Sequence, residues 1–272
     1  MASVRQDLVF GARPGGDLAG DLYLPDGDGP HPVLVAAPGG AWLRGDKRQL
    51  GRWGRHLADN GVAVFIVDYR RSTDGPVFPG NVDDVLAAAR FLKAQGATLG
   101  VDPARMGLLG ASAGAHLASM AALAQGASWL APGEAVDFKV LVAVYGVYDL
   151  FAHWQADLDK NAAPGTDPTH RMLGADPYEN PQLYVDASPT RQIRYASNKL
   201  KALVVWGEND LDIAPAQSEA FARALRQARF FTRTLPVPGA GHFWFSEEAV
   251  DTPHTYAGRV APPIIAFLKQ HL

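Results

Sequence analysis

Uninterrupted apolar runs recur along the chain and are separated by stretches with helical spacing. The apolar runs cover residues 33–37, 62–67, 106–109, 140–144 and 202–206. Strands that are apolar on both faces are typical of a parallel sheet that helices cover on each side. The helical stretches lie near residues 50–60, 82–96, 113–124, 216–228 and 256–270, and one more strand is predicted near residues 231–237. This alternation predicts an α/β protein with a mostly parallel, doubly wound sheet.

The N-terminal part of the chain follows a different pattern. Residues 4–12 and 20–24 alternate in part between apolar and polar positions, and Pro14-Gly15-Gly16 lies between them. This combination predicts two N-terminal antiparallel strands that are joined by a turn at the edge of the sheet.

Residues 148–198 interrupt the strand–helix rhythm. The segment is polar, contains many prolines and aromatic residues, and is too long for a simple connection between two strands. We interpret it as a small, partly helical, cap-like insertion over one rim of the sheet, and an ordinary surface insertion is the alternative. Residues 1–272 are otherwise predicted to form a single domain.

The pentapeptide Gly110-Ala111-Ser112-Ala113-Gly114 lies between a predicted strand and a predicted helix. G-x-S-x-G in this context is the nucleophile-elbow pattern. Such a tight turn exposes the serine hydroxyl at the carboxyl end of the sheet and places the first amides of the helix beside it. Ser112 is therefore the candidate nucleophile, and the amide of Ala113 is a candidate donor to an oxyanion.

A serine nucleophile needs a base within hydrogen-bond reach and a third group that orients the base. In a sheet of this kind the chain order is Ser, then Asp or Glu, then His. Asp210 follows a predicted strand, and His242 lies in a glycine-rich loop after the next strand; Asp212 is an alternative to Asp210. We interpret His116 as a packed helix residue. For His153, in the insertion, contact with substrate is the less favoured of two interpretations.

The loop Pro38-Gly39-Gly40-Ala41-Trp42 follows the third predicted strand. Its two glycines let the backbone approach a reacting carbonyl closely. We expect the amides of Gly40 and Ala41 to form the oxyanion hole together with that of Ala113.

Aromatic side chains are frequent in the loops that are predicted at the same rim. They predict an apolar or aromatic substrate pocket, and packing of individual rings into the core is the alternative. The candidate substrate-binding residues are Trp42, Trp154, Phe243 and Trp244.

Taken together, these motifs resemble those of α/β-hydrolase fold carboxylesterases, in the branch of hormone-sensitive-lipase-like enzymes and the related bacterial feruloyl and acetyl esterases. The resemblance extends from about residue 33 to the C-terminus and implies the α/β-hydrolase fold with a catalytic Ser-Asp-His triad. Gly207-Glu208-Asn209-Asp210 resembles the loop whose first Asp is the triad acid, which favours Asp210 over Asp212. Pro38 stands where the family usually has a histidine, and it cannot supply the hydrogen bonds of that side chain.

Composition narrows the remaining classes of protein. The chain has 272 residues, no cysteine and a net charge of −3, so disulfides, thiol catalysis and a nucleic-acid partner are not expected. There is no apolar run long enough to span a membrane and no signal peptide near Met1, so we expect a cytoplasmic protein. No metal or other cofactor is expected. The expected partner is a small-molecule ester, and a homodimer is left open.

The sequence therefore predicts a serine carboxylesterase that hydrolyses small carboxylic esters through an acyl-enzyme. Two alternatives remain. One is an arylformamidase-like amidase that uses the same triad, and the other is a non-catalytic α/β-hydrolase relative that binds a small ligand. An ester assay beside a formyl-amide assay would separate the two enzymes, and labelling by an organophosphonate would identify the non-catalytic relative.

Overall fold

The apolar runs form the central strands of one sheet, as predicted. The computed structural model describes residues 2–13, 16–160, 163 and 165–272. Within these residues the strands are β1 (Ser3–Arg13), β2 (Gly16–Leu24), β3 (His31–Ala37), β4 (Ala63–Val67), β5 (Val101–Ala111), β6 (Val140–Val144), β7 (Lys201–Gly207) and β8 (Phe231–Val237). They form one eight-stranded sheet in the order β1-β2-β4-β3-β5-β6-β7-β8.

Strand directions agree with the predicted topology. β1 pairs antiparallel with β2, and β2 pairs antiparallel with β4. All other neighbours are parallel, with Ala111 of β5 opposite Val144 of β6, and Val144 opposite Val205 of β7. The carboxyl ends of β3, β5, β6 and β7 therefore meet at one rim, which is where doubly wound sheets bind ligands.

Helices cover the sheet along its length. They are α1 (Gly51–Asp59), α2 (Gly80–Leu99), α3 (Ala113–Leu123), α4 (Leu150–Asp159), α5 (Pro168–Leu173), α6 (Pro181–Ala187), α7 (Pro215–Gln227), α8 (Trp244–Glu247) and α9 (Tyr256–His271). Helix α3 packs on β3, β5 and β6, and α9 packs on β6, β7 and β8. Every residue of β4 and β6 is buried, which explains why their sequences lack polar positions.

Residues 148–198, called the insertion below, lie between β6 and β7. They contain α4, α5, α6 and two short 3-10 turns, Pro189–Gln192 and Tyr195–Ser197. The two ends of the insertion are joined because Ser188 Oγ accepts the N–H of Leu150 at 2.9 Å and donates to the carbonyl of Tyr184 at 2.7 Å. Asp149 caps α4 by accepting the amide of Ala152.

Some boundaries differ from those predicted. β5 begins at Val101 rather than Met106, because its polar first half still pairs with His31 and Pro32 of β3. The short helix α8 replaces part of a predicted loop. Of the predicted turn Pro14-Gly15-Gly16, only Gly16 lies among the described residues. In this described part of the chain, we find no helix whose length and apolar character would suffice to cross a bilayer.

The N-terminal strands are tied to the loop after β3 by a buried ion pair. Lys47 Nζ lies 2.9 Å from Asp21 Oδ1, and their side chains are 11% and 4% exposed. Asp7 also binds Lys47, and its amide donates to Asp21. Burial lowers the pKa of Lys47, but hydrogen bonds and charges from Asp21 and Asp7 outweigh it, so the pKa lies above its usual range.

Replacing Lys47 with Met is expected to destabilise the fold by about 3 kcal/mol, because it leaves the buried Asp21 carboxylate without a counter-charge. Adding Asp21→Asn should restore most of the loss, since the neutral amide still accepts the Asp7 N–H. Urea unfolding of the parent, the single and the double variant measures both effects. Equal stability of the parent and the Lys47→Met variant would contradict a stabilising role of the Lys47–Asp21 ion pair.

Candidate active site

Ser112 lies at a sharp turn between β5 and α3. Its backbone has φ 55° and ψ −123°, which is a strained conformation for a residue with a side chain. The turn is fixed from both sides, because Ser112 N donates to Val144 O at 2.9 Å while Ser112 O accepts the amides of Ala115 and His116. At Gly114 any Cβ would overlap the carbonyl oxygen of Ala37. Only glycine therefore lets α3 start this close to β3.

Ser112, His242 and Asp210 form a continuous chain of hydrogen bonds. Ser112 Oγ lies 3.0 Å from His242 Nε2, and His242 Nδ1 lies 2.7 Å from Asp210 Oδ2. Because a carboxylate only accepts, Nδ1 carries the proton and the Nε2 lone pair accepts the serine O–H. The side chains of His242 and Asp210 are 4% and 0% exposed. The structure thus brings the three predicted residues together.

Asp210, and not Asp212, faces the histidine. Asp210 Oδ1 accepts the amides of Asp212 and Ile213, each at 2.9 Å, so both oxygens of the carboxylate are bonded and its direction is fixed. Asp212 contributes its backbone to this turn, and its carbonyl accepts the ammonium of Lys160.

Tyr145, which was not predicted as a site residue, packs against His242. Its ring centroid lies 4.3 Å from that of His242, and burial raises the pKa of its hydroxyl. Tyr145 has φ 38°, and its amide donates to Val205 O at 2.7 Å. A positive φ directly after a strand leaves no mark in the residue type, so this contact could not be predicted from the sequence.

The loop after β3 has three consecutive residues with positive φ. The angles are 123° at Gly40, 53° at Ala41 and 57° at Trp42. The Gly40 carbonyl accepts the amides of Leu43 and Arg44, which closes the loop on itself. Among the described residues the amides of Gly40 and Ala41 donate no hydrogen bond. These two N–H groups are therefore free to bind an anion.

The amide of Ala113 is also without an intrahelical acceptor, because Ala113 is the first residue of α3. The loop after β3 is held at its first residue, where the Tyr69 hydroxyl donates to Pro38 O at 2.9 Å. The Pro38 carbonyl thus anchors the start of this loop.

A cavity of about 560 Å³ opens over Ser112 and His242. Gly40, Ala41 and Phe243 line it near the serine, and Phe243 is 50% exposed. The rest of the lining combines apolar groups, such as Ala111, Pro168 and Ile213, with polar and charged side chains. These polar lining residues are Arg44, Gln49, His153, Asp157, Lys160, Asp212, Ser246 and Glu247.

The prediction of substrate contact is corrected for Trp42, Trp154 and Trp244, none of which is among the cavity-lining residues. They are 1%, 8% and 4% exposed. Trp154 packs with Tyr184 inside the insertion, and Trp244 packs edge-on against Tyr145. The cavity wall itself combines Tyr145 and Phe243 with apolar and polar side chains, so an apolar or aromatic substrate pocket stays a prediction.

Two further histidines lie close to the site and are kept neutral. Burial lowers the pKa of His116 to about 4. Burial, with the charges of Lys160 and the neighbouring histidines, lowers the pKa of His153 to about 3. His116 packs on α3 as interpreted, whereas His153 reaches the cavity wall. Within the described residues, no group of three or more His, Asp and Glu side chains is placed to bind a metal ion.

Comparison with known proteins was made on sequence and on structure. LipM of Mycobacterium tuberculosis, which carries the name "Probable carboxylic ester hydrolase", is 37% identical over 204 residues, covering 73% of this chain and 46% of LipM. Esterase LipQ of the same organism is 33% identical over 216 residues, covering 78% of this chain and 50% of LipQ. The chain thus spans about half the length of the curated relatives it matches.

Among solved structures, carboxyl esterase 2 (TmelEST2) from the fungus Tuber melanosporum superimposes with a TM-score of 0.78 at 26% sequence identity, covering 100% of this chain and 88% of that one. This agreement confirms the α/β-hydrolase fold. The model of the BD-FAE family matches residues 20–225, which is well over half of the sequence. The chain therefore belongs to the BD-FAE family.

Proposed function

We propose that the protein is a serine carboxylesterase that hydrolyses small carboxylic esters through an acyl-enzyme. The observation that carries the proposal is the hydrogen-bonded series Ser112–His242–Asp210, which opens into a cavity beside unpaired amides. The esterase names of LipM and LipQ agree with it. Because the same hydrogen-bonded series can also cleave a formyl amide, the amidase alternative is an outcome of the test below.

Ser112 Oγ attacks the ester carbonyl while His242 Nε2 takes its proton. The tetrahedral intermediate collapses, the bond to the leaving oxygen breaks, and His242 returns the proton to the departing alcohol. Water then repeats the sequence on the acyl-enzyme, releasing the acid and regenerating the serine. Asp210 holds the tautomer with Nδ1 protonated and stabilises the imidazolium that forms.

The oxyanion of each intermediate is bound by the amides of Gly40, Ala41 and Ala113. Because their directions are set by the strained loop and by the start of α3, they need no reorganisation when charge develops. Loss of one such donor typically costs about 10²–10³ in rate.

Replacing Ser112 with Ala should reduce hydrolysis of a short-chain aryl ester by at least about 10³-fold, since no other hydroxyl takes its place. Activity is measured beside a formyl-amide substrate and beside labelling by an organophosphonate. Ser119→Ala on the same helix is the matched control, because Ser119 Oγ is buried and has no partner among the described residues. Retention of most ester turnover by Ser112→Ala would refute the mechanism, and exclusive turnover of the amide would favour the amidase.

The lining of the cavity supports a polar substrate. Four of the lining residues carry charged groups, namely Arg44, Asp157, Lys160 and Glu247. A long alkyl chain that reached these groups would remove water from charged atoms without replacing the hydrogen bonds of that water. We therefore propose short-chain acyl esters of alcohols that carry hydroxyl groups, which can replace the lost water.

In a graded panel of aryl esters, kcat/KM is expected to fall by at least about tenfold from acetyl to octanoyl, because the longer chain desolvates the charged lining. Acetyl esters of a polyol and of a simple alkanol of similar size form the second arm, and the polyol ester should be the better substrate. Rising kcat/KM with acyl length would overturn the substrate class while leaving the triad untouched.

Asp157 is the lining carboxylic acid whose pKa is raised most clearly. Burial raises the pKa of its carboxyl to about 6, while the charge of Lys160 partly opposes the shift and those of Asp167 and Asp212 add to it. The nearest side-chain base, His153 Nε2, lies 3.5 Å from Asp157 Oδ2 and is neutral. The insertion therefore bears a carboxyl that titrates within the working range of an esterase.

Because the pKa of Asp157 is higher in the folded chain than its usual value of 3.8, the folded state binds this proton more tightly. Its ionisation thus costs stability as the pH rises from about 4 to about 6. Asp157→Asn removes the cost and should stabilise the protein by about 1–2 kcal/mol above pH 7, after a discount for solvent screening in the cleft. Urea unfolding at about pH 8 and about pH 4 tests this, since the gain should vanish at the lower pH. A gain of equal size at both values would contradict the raised pKa.

A further inference from the structure

Trp42 is anchored to the helix that carries the nucleophile. It is the third of the positive-φ residues, and its side chain is buried with 1% exposure. Its indole N–H donates to His116 Nδ1 at 3.0 Å, and the two rings meet edge-on with centroids 5.2 Å apart. His116 lies one turn after Ser112 on α3, and its amide donates to the Ser112 carbonyl at 3.1 Å. The side-chain bond thus connects the two segments that bear the proposed oxyanion donors.

The second ring nitrogen of His116, Nε2, bonds to the insertion. Since Nδ1 accepts the indole proton, Nε2 carries the hydrogen, and it donates to the carbonyl of Ala187 at 2.9 Å. Ala187 is the last residue of α6. The imidazole is fully buried, and the burial that lowers its pKa keeps it in the neutral form that this double role requires.

The loop needs such an anchor because its backbone is strained. Left-handed conformations at residues with a side chain cost about 1–2 kcal/mol each, and Ala41 and Trp42 adopt them in succession. At Trp42 the backbone is also held through its carbonyl oxygen, which accepts the amide of Ser72 at 2.9 Å and the Ser72 hydroxyl at 3.4 Å. Without the bond to His116, the indole could move away from α3 and the amides of Gly40 and Ala41 would turn with it.

We propose that His116 is a positioning residue that holds the oxyanion loop against the nucleophile helix through Trp42, and that ties both to the insertion through Ala187. The inference rests on the proposed function, because it assigns a role within that reaction. His116 does not line the cavity, so it acts through Trp42 and touches no reacting atom. The effect concerns charge that exists only in the transition state, so it appears in kcat more than in KM.

Two substitutions at His116 separate its two bonds. Asn places an amide oxygen near the position of Nδ1 and can still accept the Trp42 indole, whereas Gln places its amide near Nε2 and can still donate to Ala187. We expect His116→Gln to lower kcat by at least about tenfold with KM changed by less than about threefold. His116→Asn should keep kcat within about threefold of the parent. Trp42→Phe, which removes the donor of the bond together with part of the buried ring, should behave like His116→Gln in kcat.

Tyr184→Phe is the matched control. Tyr184 lies on α6 beside the same end of the insertion, and its buried hydroxyl donates to Ala175 O at 3.1 Å. The variant loses one buried donor to a carbonyl but no link to the loop, so its kcat should stay within about twofold of the parent while its melting temperature falls. A trifluoromethyl ketone forms an oxyanion on Ser112 and therefore reports on the oxyanion donors. Its affinity should fall in proportion to the loss of kcat/KM in His116→Gln and in Trp42→Phe.

A second readout does not depend on turnover. The indole ¹H–¹⁵N signal of Trp42, assigned by its absence in Trp42→Phe, should be protected from exchange in the parent and in His116→Asn and lose protection in His116→Gln. Equal kcat in the Asn and Gln variants, or losses that follow melting temperature alone, would overturn the inference. Ester turnover that survives in Ser112→Ala would instead refute the proposed function, and the indole signal would still decide whether His116 holds the loop.

Discussion

The close approach of the start of α3 to the end of β3 is the constraint on which the site depends. At Gly114 the helix backbone passes directly against the carbonyl of Ala37, with no space for a side chain. This contact brings the loop that follows β3 beside Ser112. The adjacency of the nucleophile, the unpaired amides and the floor of the cavity follows from it, because all of them lie within a few residues of these two chain ends.

Backbone strain is concentrated at the same rim. Positive φ angles occur at Ala41, Trp42, Ser112, Tyr145 and Phe243, all of which contact or adjoin the cavity. Each costs on the order of 1–3 kcal/mol. The parallel sheet can bear this cost because its last ladder bonds extend into the loops, as from Ser112 N to Val144 O and from Tyr145 N to Val205 O. Buried strands thus hold the loops in conformations that the loops would not adopt alone.

The features that could be predicted from the sequence were those encoded in residue type and order. Apolar runs predicted the strands. The order of Ser112, Asp210 and His242 along the chain predicted a site whose side chains lie within hydrogen-bond distance in the structure. The direction of a ring depends on backbone angles and on its neighbours, and these leave no pattern in the sequence. Trp42 and Trp244 adjoin site residues in sequence, yet a positive φ at Trp42 and at Phe243 directs both indoles into the core. The polar side chains in the cavity wall escaped prediction because helix α4 presents His153 and Asp157 to the cavity, and the orientation of that helix is set by tertiary contacts.

Three histidines near the cavity differ in burial and in hydrogen-bond partners, and these differences determine which of them can take a proton. His242 has a carboxylate at 2.7 Å and the serine hydroxyl at 3.0 Å, so it can take a proton and have the resulting charge balanced. His153 has its nearest carboxylate at 3.5 Å, and His116 is bonded only to an indole N–H and a backbone carbonyl. A protonated His116 could not accept the indole N–H, so a charge there would release the loop. The burial that makes His116 a poor base is therefore the same property that lets it hold Trp42, and in the proposed mechanism His242 alone among the three transfers the proton.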